Sequence, residues 1–311
     1  MKKISILIPT YNEEENIKLL CKSIKEEFKK ELPNYEYEII FIDNCSIDNT
    51  RKEIKEVCKQ DKNIKAIFNI KNFGQFNSPY YGLQQTTGDA TILLCADFQD
   101  PIEMIHKFVK EWENGYKIVI GIKKKSKESK IKYFLRSCYY KLIKKFSSVE
   151  QIEHFTGFGL YDKSFIDILK TLDDNQPYLR GIVAELGYQR KEIEYTQPLR
   201  KNGKSKNNWY SLYDAGMVGI TSYTKGIMRL ATISGFIIAF ISFIIGLIYL
   251  ILKLIFWDLF IAGIAPVLIG LFFMGAILLF FIGFLGEYIL NINIRLMKRP
   301  LVIEETRINF K

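Results

Sequence analysis

Short apolar runs alternate with polar stretches of helical spacing through the N-terminal part of the chain. Two long, nearly uncharged stretches then take over toward the C-terminus. The runs Ile4–Pro9, Tyr37–Ile42, Ile64–Asn69, Ala90–Ala96 and Lys117–Ile122 predict strands, the first and fourth continuous enough to be buried on both faces. Helices are predicted from Glu13 onward, after the second strand to about Lys59, over Ser78–Thr86, and over Pro101–Asn114 with its proline at the start. The acids Glu13, Glu14 and Glu15 favour the positive end of the first helix. Strands alternating with helices imply an α/β domain built on a doubly wound, mostly parallel sheet. Such sheets bind ligands beyond the carboxyl ends of their strands. The polar loops Thr10–Asn12, Asp43–Asp48 and Cys95–Asp100 fall at three of those ends.

Leu230–Leu252 is 23 residues without a charge, about 35 Å as a helix and enough to cross a hydrocarbon core of about 30 Å. After Lys253 and Asp258, Phe260–Leu285 predicts a second span. Before them, Trp209, Leu212, Tyr213, Gly216, Met217, Ile220 and Ile227 recur near helical spacing. This segment reads as a helix lying in the membrane interface, or as an ordinary packed helix of the preceding domain. Lys225 and Arg229 precede the first span, and Arg295, Lys298 and Arg299 follow the second. By the positive-inside rule both flanks face the cytoplasm of a cell membrane crossed twice. The expected organisation is a cytoplasmic domain over 1–207, a juxtamembrane helix over 208–229, a two-helix region over 230–290 and a cytoplasmic tail over 291–311.

The formal net charge of +10 is unevenly placed: Lys123–Lys145 holds ten basic residues against one acid, Glu128. That run is either a solvated surface or a patch for anionic headgroups or a diphosphate. No nucleic-acid-binding module accompanies it, so nucleic acid is not an expected partner. Five cysteines without CxxC spacing fit reduced thiols in a cytosol-facing domain, and two histidines make a histidine-based zinc site improbable.

Asp97, Gln99 and Asp100 place hard oxygen atoms at the end of the fourth strand, a set suited to Mg²⁺ or Mn²⁺ holding a diphosphate. Asp100, before Pro101, reads equally as a cap of the following helix. With lipid-spanning stretches in the same chain, the second substrate is expected in a bilayer.

The blocks I-L-I-P-T-Y-N-E-E-E-N-I (Ile6–Ile17), F-I-D-N-C-S-I-D-N-T (Phe41–Thr50), N-F-G-Q (Asn72–Gln75) and A-D-F-Q-D-P (Ala96–Pro101) resemble the inverting GT-A glycosyltransferases of family 2. R-K-N-G-K-S-K (Arg200–Lys206), the two spans, G-E-Y-I-L (Gly286–Leu290) and K-R-P (Lys298–Pro300) are similar to the polyprenyl-phosphate group, which includes dolichol-phosphate mannose synthase and GtrB-like enzymes. The resemblance implies transfer of one sugar from a nucleotide donor, by family habit UDP-linked, to a polyprenyl phosphate such as undecaprenyl phosphate. The product would serve cell-envelope glycan modification, and a homotetramer is plausible by the same resemblance. Pro9, Tyr11 and Glu13 would line the nucleotide pocket, and Asp43 would hold base or ribose. Asp97 would coordinate the metal with Gln99. Arg200, Lys204 and Lys206 would grip phosphate oxygens, and Phe158 would shape the acceptor side.

Two departures stand out. Where the family usually has D-A-D, the first position is Cys95, a poor ligand for Mg²⁺; Asn44 likewise replaces a second acid. Where relatives carry T-G-D, this chain has Phe158 in F-T-G-F-G-L-Y-D (Phe155–Asp162), so an aligned carboxylate is missing. A phosphate-monoester acceptor is already ionised near neutral pH and needs no general base, unlike a sugar hydroxyl. Two alternatives remain at this point: a processive polysaccharide synthase, although no Q-x-x-R-W segment is present, and a silent membrane scaffold of the same fold.

Overall fold

A computed structural model describes residues 1–125, 149, 152–198, 217–218, 221, 223, 226–255, 264–297 and 299–310. In chain order the elements are β1 (Lys2–Thr10), α1 (Ile17–Glu31), β2 (Tyr35–Asp43), α2 (Thr50–Gln60), β3 (Ile64–Asn69) and α3 (Gly74–Gln84). There follow β4 (Ala90–Leu93), α4 (Met104–Glu113), β5 (Ile118–Lys125), β6 (Phe155–Asp162), α5 (Lys163–Thr171), α6 (Leu179–Glu185) and β7 (Arg190–Thr196). Two long helices, α7 (Gly226–Ile255) and α8 (Ile264–Leu296), lead to a last strand, β8 (Glu304–Ile308).

Side-chain alternation sorts the strands into two cores. Ile4, Ile6 and Ile8 of β1 and Ile39 and Phe41 of β2 face α1, α2 and α4. Leu7, Ile40 and Ile42 face α3, α5 and α6. A sheet buried on both faces explains the continuous apolar runs of β1 and β2. The strand order is β7-β5-β6-β4-β1-β2-β3-β8. β1 pairs in parallel with both β2 and β4, which makes the β1/β4 boundary a topological switch point.

The expectation of a mostly parallel sheet needs correction: the sheet is mixed. β6 runs antiparallel to β4 and β5, and β8 runs antiparallel to β3. Three of these strands escape the periodicity argument for physical reasons. β6 is aromatic and glycine-rich, while β7 and β8 are half-exposed and dominated by charged residues. The segment expected as a free C-terminal tail is instead part of the sheet. Asn309 fastens its end by donating to the carbonyls of Cys58 and Ile64, both at 2.7 Å.

One buried carboxylate ties β1, β2, β3 and the turn before β4 together. Glu38 accepts from Lys65 Nζ at 2.5 Å, Ser5 Oγ at 2.5 Å, Thr87 N at 3.1 Å and Thr87 Oγ1 at 2.8 Å. Burial pushes its carboxyl up, but Lys65, Ser5 and Thr87 outweigh burial and hold it below the usual range. Its stabilisation is therefore present above the unfolded carboxylate pKa of about 4.3 and lost as pH falls through the lower folded value. Glu38→Gln is expected to cost about 2 kcal/mol at pH 7. The difference from wild type should close below about pH 4 in denaturation curves taken across pH; a pH-independent difference contradicts the assignment.

Among the described residues, Phe273–Leu296 is a stretch long and apolar enough to cross a membrane, 24 residues of mean hydropathy 2.1. Phe273 and Leu279 on α8 and Phe236 and Phe240 on α7 are exposed. The proposed juxtamembrane helix over 208–229 falls mainly outside the described residues.

Candidate active site

The loops after β1, β2 and β4 converge because their strands are parallel neighbours, with Thr10 opposite Asp43 and Leu7 opposite Leu93. Each loop turns sharply through a left-handed residue that is not glycine: Asn12 (φ 55), Cys45 (φ 63) and Phe98 (φ 58). Side chains rarely adopt that conformation, so the surrounding bonds must hold it. Asn12 N donates to Ser46 Oγ at 2.8 Å, Ile47 N to Asn12 Oδ1 at 2.8 Å, and Glu13 N to Thr50 Oγ1 at 2.7 Å. The first two loops are thereby zipped into one wall.

Asp43, expected to hold base or ribose, is fully buried, and its carboxylate is engaged within the protein. It accepts from Ser46 N at 3.1 Å, Ser46 Oγ at 2.5 Å and Arg51 Nε at 2.8 Å. Arg51 reaches onward to Asn69 O at 2.5 Å and to Glu305 of β8 at 2.7 Å. Asn44 sits in an amide network: it donates to Asn72 Oδ1 at 2.7 Å and Gly74 O at 3.2 Å, and accepts from Phe73 N at 2.8 Å. An aspartate there would face two acceptors with no proton to give, which accounts for the amide where family sequences have an acid.

On the β4 side, Asp97 is nearly buried and accepts from Gln99 N at 3.1 Å. Asp100 does not cap α4. It turns inward, accepting from Cys95 N at 3.0 Å and from the Tyr195 hydroxyl at 3.3 Å. Burial pushes its carboxyl up to about 6, with Asp97 adding to the rise. Cys95 is exposed at the start of this loop. Crowding by protein, then Asp100, Asp97 and Glu13, holds its thiol well above the usual range.

Pro9, Tyr11 and Glu13 are half-buried along the cleft, with Glu13 accepting from Asn16 Nδ2 at 2.7 Å. Phe158, expected at the acceptor, lies in the core instead. It is edge-on to Phe108 and to Tyr195 at 4.9 and 5.4 Å between ring centres. It thus meets the site only through Tyr195 and Asp100. Arg200, Lys204 and Lys206 lie outside the described residues. Sequence reasoning missed Arg51 and Tyr195, because neither stands in a motif and each acquires its role from a partner distant in the chain.

A divalent cation held by protein alone would need several oxygen ligands. Among the described residues, no group of three or more His, Cys, Asp or Glu is placed to hold one. Asp100 is engaged, and a thiol ligates hard cations poorly. A carboxylate such as Asp97 fits Mg²⁺ or Mn²⁺ only where the ion is shared with a diphosphate that brings its own oxygens.

Polar loops gathered at the switch point of an α/β fold with a mixed sheet mark a candidate ligand face. Residues 5–210 match the family model described as Glycosyl transferase family 2, so the chain belongs to that family and is a glycosyltransferase of GT-A fold. It is 33% identical over 306 residues to the putative glycosyltransferase CsbB of Bacillus subtilis (strain 168), covering 98% of this chain and 92% of that one. It is 32% identical over 306 residues to the bactoprenol glucosyl transferase of Shigella phage SfX, covering 98% and 99%. Over 302 residues it is 32% identical to the prophage bactoprenol glucosyl transferase homolog of Escherichia coli (strain K12), covering 97% and 98%.

Proposed function

We propose that the protein transfers one sugar from a nucleoside-diphosphate sugar to a polyprenyl phosphate, inverting the anomeric centre. The observation that carries this reading is end-to-end similarity, apolar helices included, to proteins named bactoprenol glucosyl transferases. The chemistry agrees. Asp97 would hold a Mg²⁺ or Mn²⁺ shared with the donor diphosphate, which supplies charge neutralisation for the departing nucleotide. Tyr11, Glu13 and Pro9 line the cleft on the donor side, while Asp43, neutralised by Arg51, shapes the wall rather than touching the nucleotide. Arg200, Lys204 and Lys206 are assigned to phosphate oxygens.

Two membrane spans are part of the proposal, and the sheet supplies the argument. β1 and β8 belong to the same sheet, so the chain between them crosses a bilayer an even number of times. If α8 crosses, α7 crosses too; at 30 and 33 residues both are long enough, about 45 and 50 Å. The flanking basic residues put the domain on the cytoplasmic face.

An acceptor that needs no general base gives a direct test. Transfer to polyprenyl phosphate should fall with acid as the phosphate loses its second charge near pH 6, while the unphosphorylated polyprenol should accept no sugar at any pH. Equal transfer to the free alcohol contradicts the proposal.

A further inference from the structure

Arg180, on α6, is half-buried, and among the described residues no carboxylate pairs with it. Its guanidinium lies 5.9 Å from the centre of the Tyr178 ring. A half-buried guanidinium without a carboxylate partner is well placed to take a ligand anion through its planar fork of donors. Two sets of neighbours show what that ligand meets.

On one side is the active-site mouth. β6 runs antiparallel to β4 with Gly159 opposite Leu93, which brings Gly157 toward the loop that follows β4. Tyr161 donates to Gly157 O at 2.7 Å, and both Arg180 and Asp100 act electrostatically on that tyrosine. Gly157 has φ +104, and a Cβ there would stand 3.9 Å from Leu179, the residue before Arg180. Tyr178 in turn packs edge-on against Phe76, in the first turn of α3 just beyond the Asn72–Gly74 loop.

On the other side is the foot of the apolar helices. Tyr223, three residues before α7, lies on Gly181 so closely that a Cβ there would come within 2.2 Å of its ring. Asn175, in the loop before α6, donates to the carbonyls of Arg295 and Met297 at the end of α8, at 3.2 and 3.0 Å. Asp174 holds Arg295 at 2.9 Å, so that cation is already engaged. Arg180 therefore stands between the catalytic loop and the point where both long helices reach the domain.

We propose that Arg180 binds the phosphate of the lipid acceptor, its guanidinium fork taking two oxygens while the polyprenyl chain runs toward α7 and α8. The placement meets a need of the reaction: an anionic acceptor must approach a cleft already lined by Glu13, Asp97 and a diphosphate. This assignment rests on the polyprenyl-phosphate reading above.

The test uses full-length protein in detergent and compares wild type with Arg180→Gln and Arg180→Lys. The glutamine variant should raise KM for undecaprenyl phosphate about tenfold or more, with partial recovery in the lysine variant. The nucleotide Kd should stay within about twofold in both, which also reports that the domain is folded. In parallel, wild type should bind vesicles containing undecaprenyl phosphate more tightly than vesicles of phosphatidylglycerol alone, and Arg180→Gln should lose that preference. Wild type that neither transfers sugar to nor prefers the lipid phosphate overturns both readings. Wild type that does, with Arg180→Gln unchanged or weakened equally toward the nucleotide, overturns the Arg180 assignment alone.

Discussion

Asp97→Ala is expected to lower sugar transfer about a thousandfold while leaving the fold intact. Asp97 accepts only a backbone bond, from Gln99 N, among the hydrogen bonds described for this loop, whereas Asp100 is held by Cys95 N and the Tyr195 hydroxyl. Removing Asp97 removes the protein's main grip on a shared cation. The binding signature should be more telling than the rate. With Mg²⁺ or Mn²⁺ present, the variant should bind the nucleotide diphosphate more weakly than wild type. With chelator present it should bind no worse, because one negative charge facing the diphosphate has gone. Titration calorimetry in the two conditions checks this; equal weakening in both would show that Asp97 acts without a metal.

Arg51→Ala should be the most destabilising single change in the donor wall, about 3 kcal/mol or more in chemical denaturation. Asp43 has a side chain with no solvent exposure, and Arg51 is its only ionic partner among the described residues. Truncation strands a buried carboxylate. Glu305, on the outer side of Arg51, is 50% exposed, so Glu305→Ala should cost under about 1 kcal/mol. A large effect of Glu305→Ala with a small one of Arg51→Ala would contradict this division. The same arginine bonds to Asn69 O at the end of β3 and to β8, so the C-terminal strand braces the donor side of the cleft.

The parts of this structure legible in the sequence are those made by local pattern. β1 to β4 and the helices between them follow from apolar runs and punctuating polar loops, and β3 was delimited to the residue. The loop that carries Asp97 was legible for the same reason: it follows the apolar run of β4, and such strand ends form the ligand face. The unread parts depend on distant partners. β8 looks like a solvated tail because only one of its faces is covered, and its pairing with β3 spans more than 230 residues. The pairing of Asp43 with Arg51 was not legible, because nothing local announces it. Phe158 occupied a motif position, but neighbouring aromatic residues from α4 and β7 draw it into the core.

The most direct measurement is transfer by the purified full-length protein with undecaprenyl phosphate, Mg²⁺ or Mn²⁺, and a panel of radiolabelled nucleotide sugars. Label should enter the organic phase with one donor, and this should cease on chelation and in Asp97→Ala. Donor binding without any transfer to the lipid phosphate, or transfer that persists undiminished in Asp97→Ala, would contradict the account.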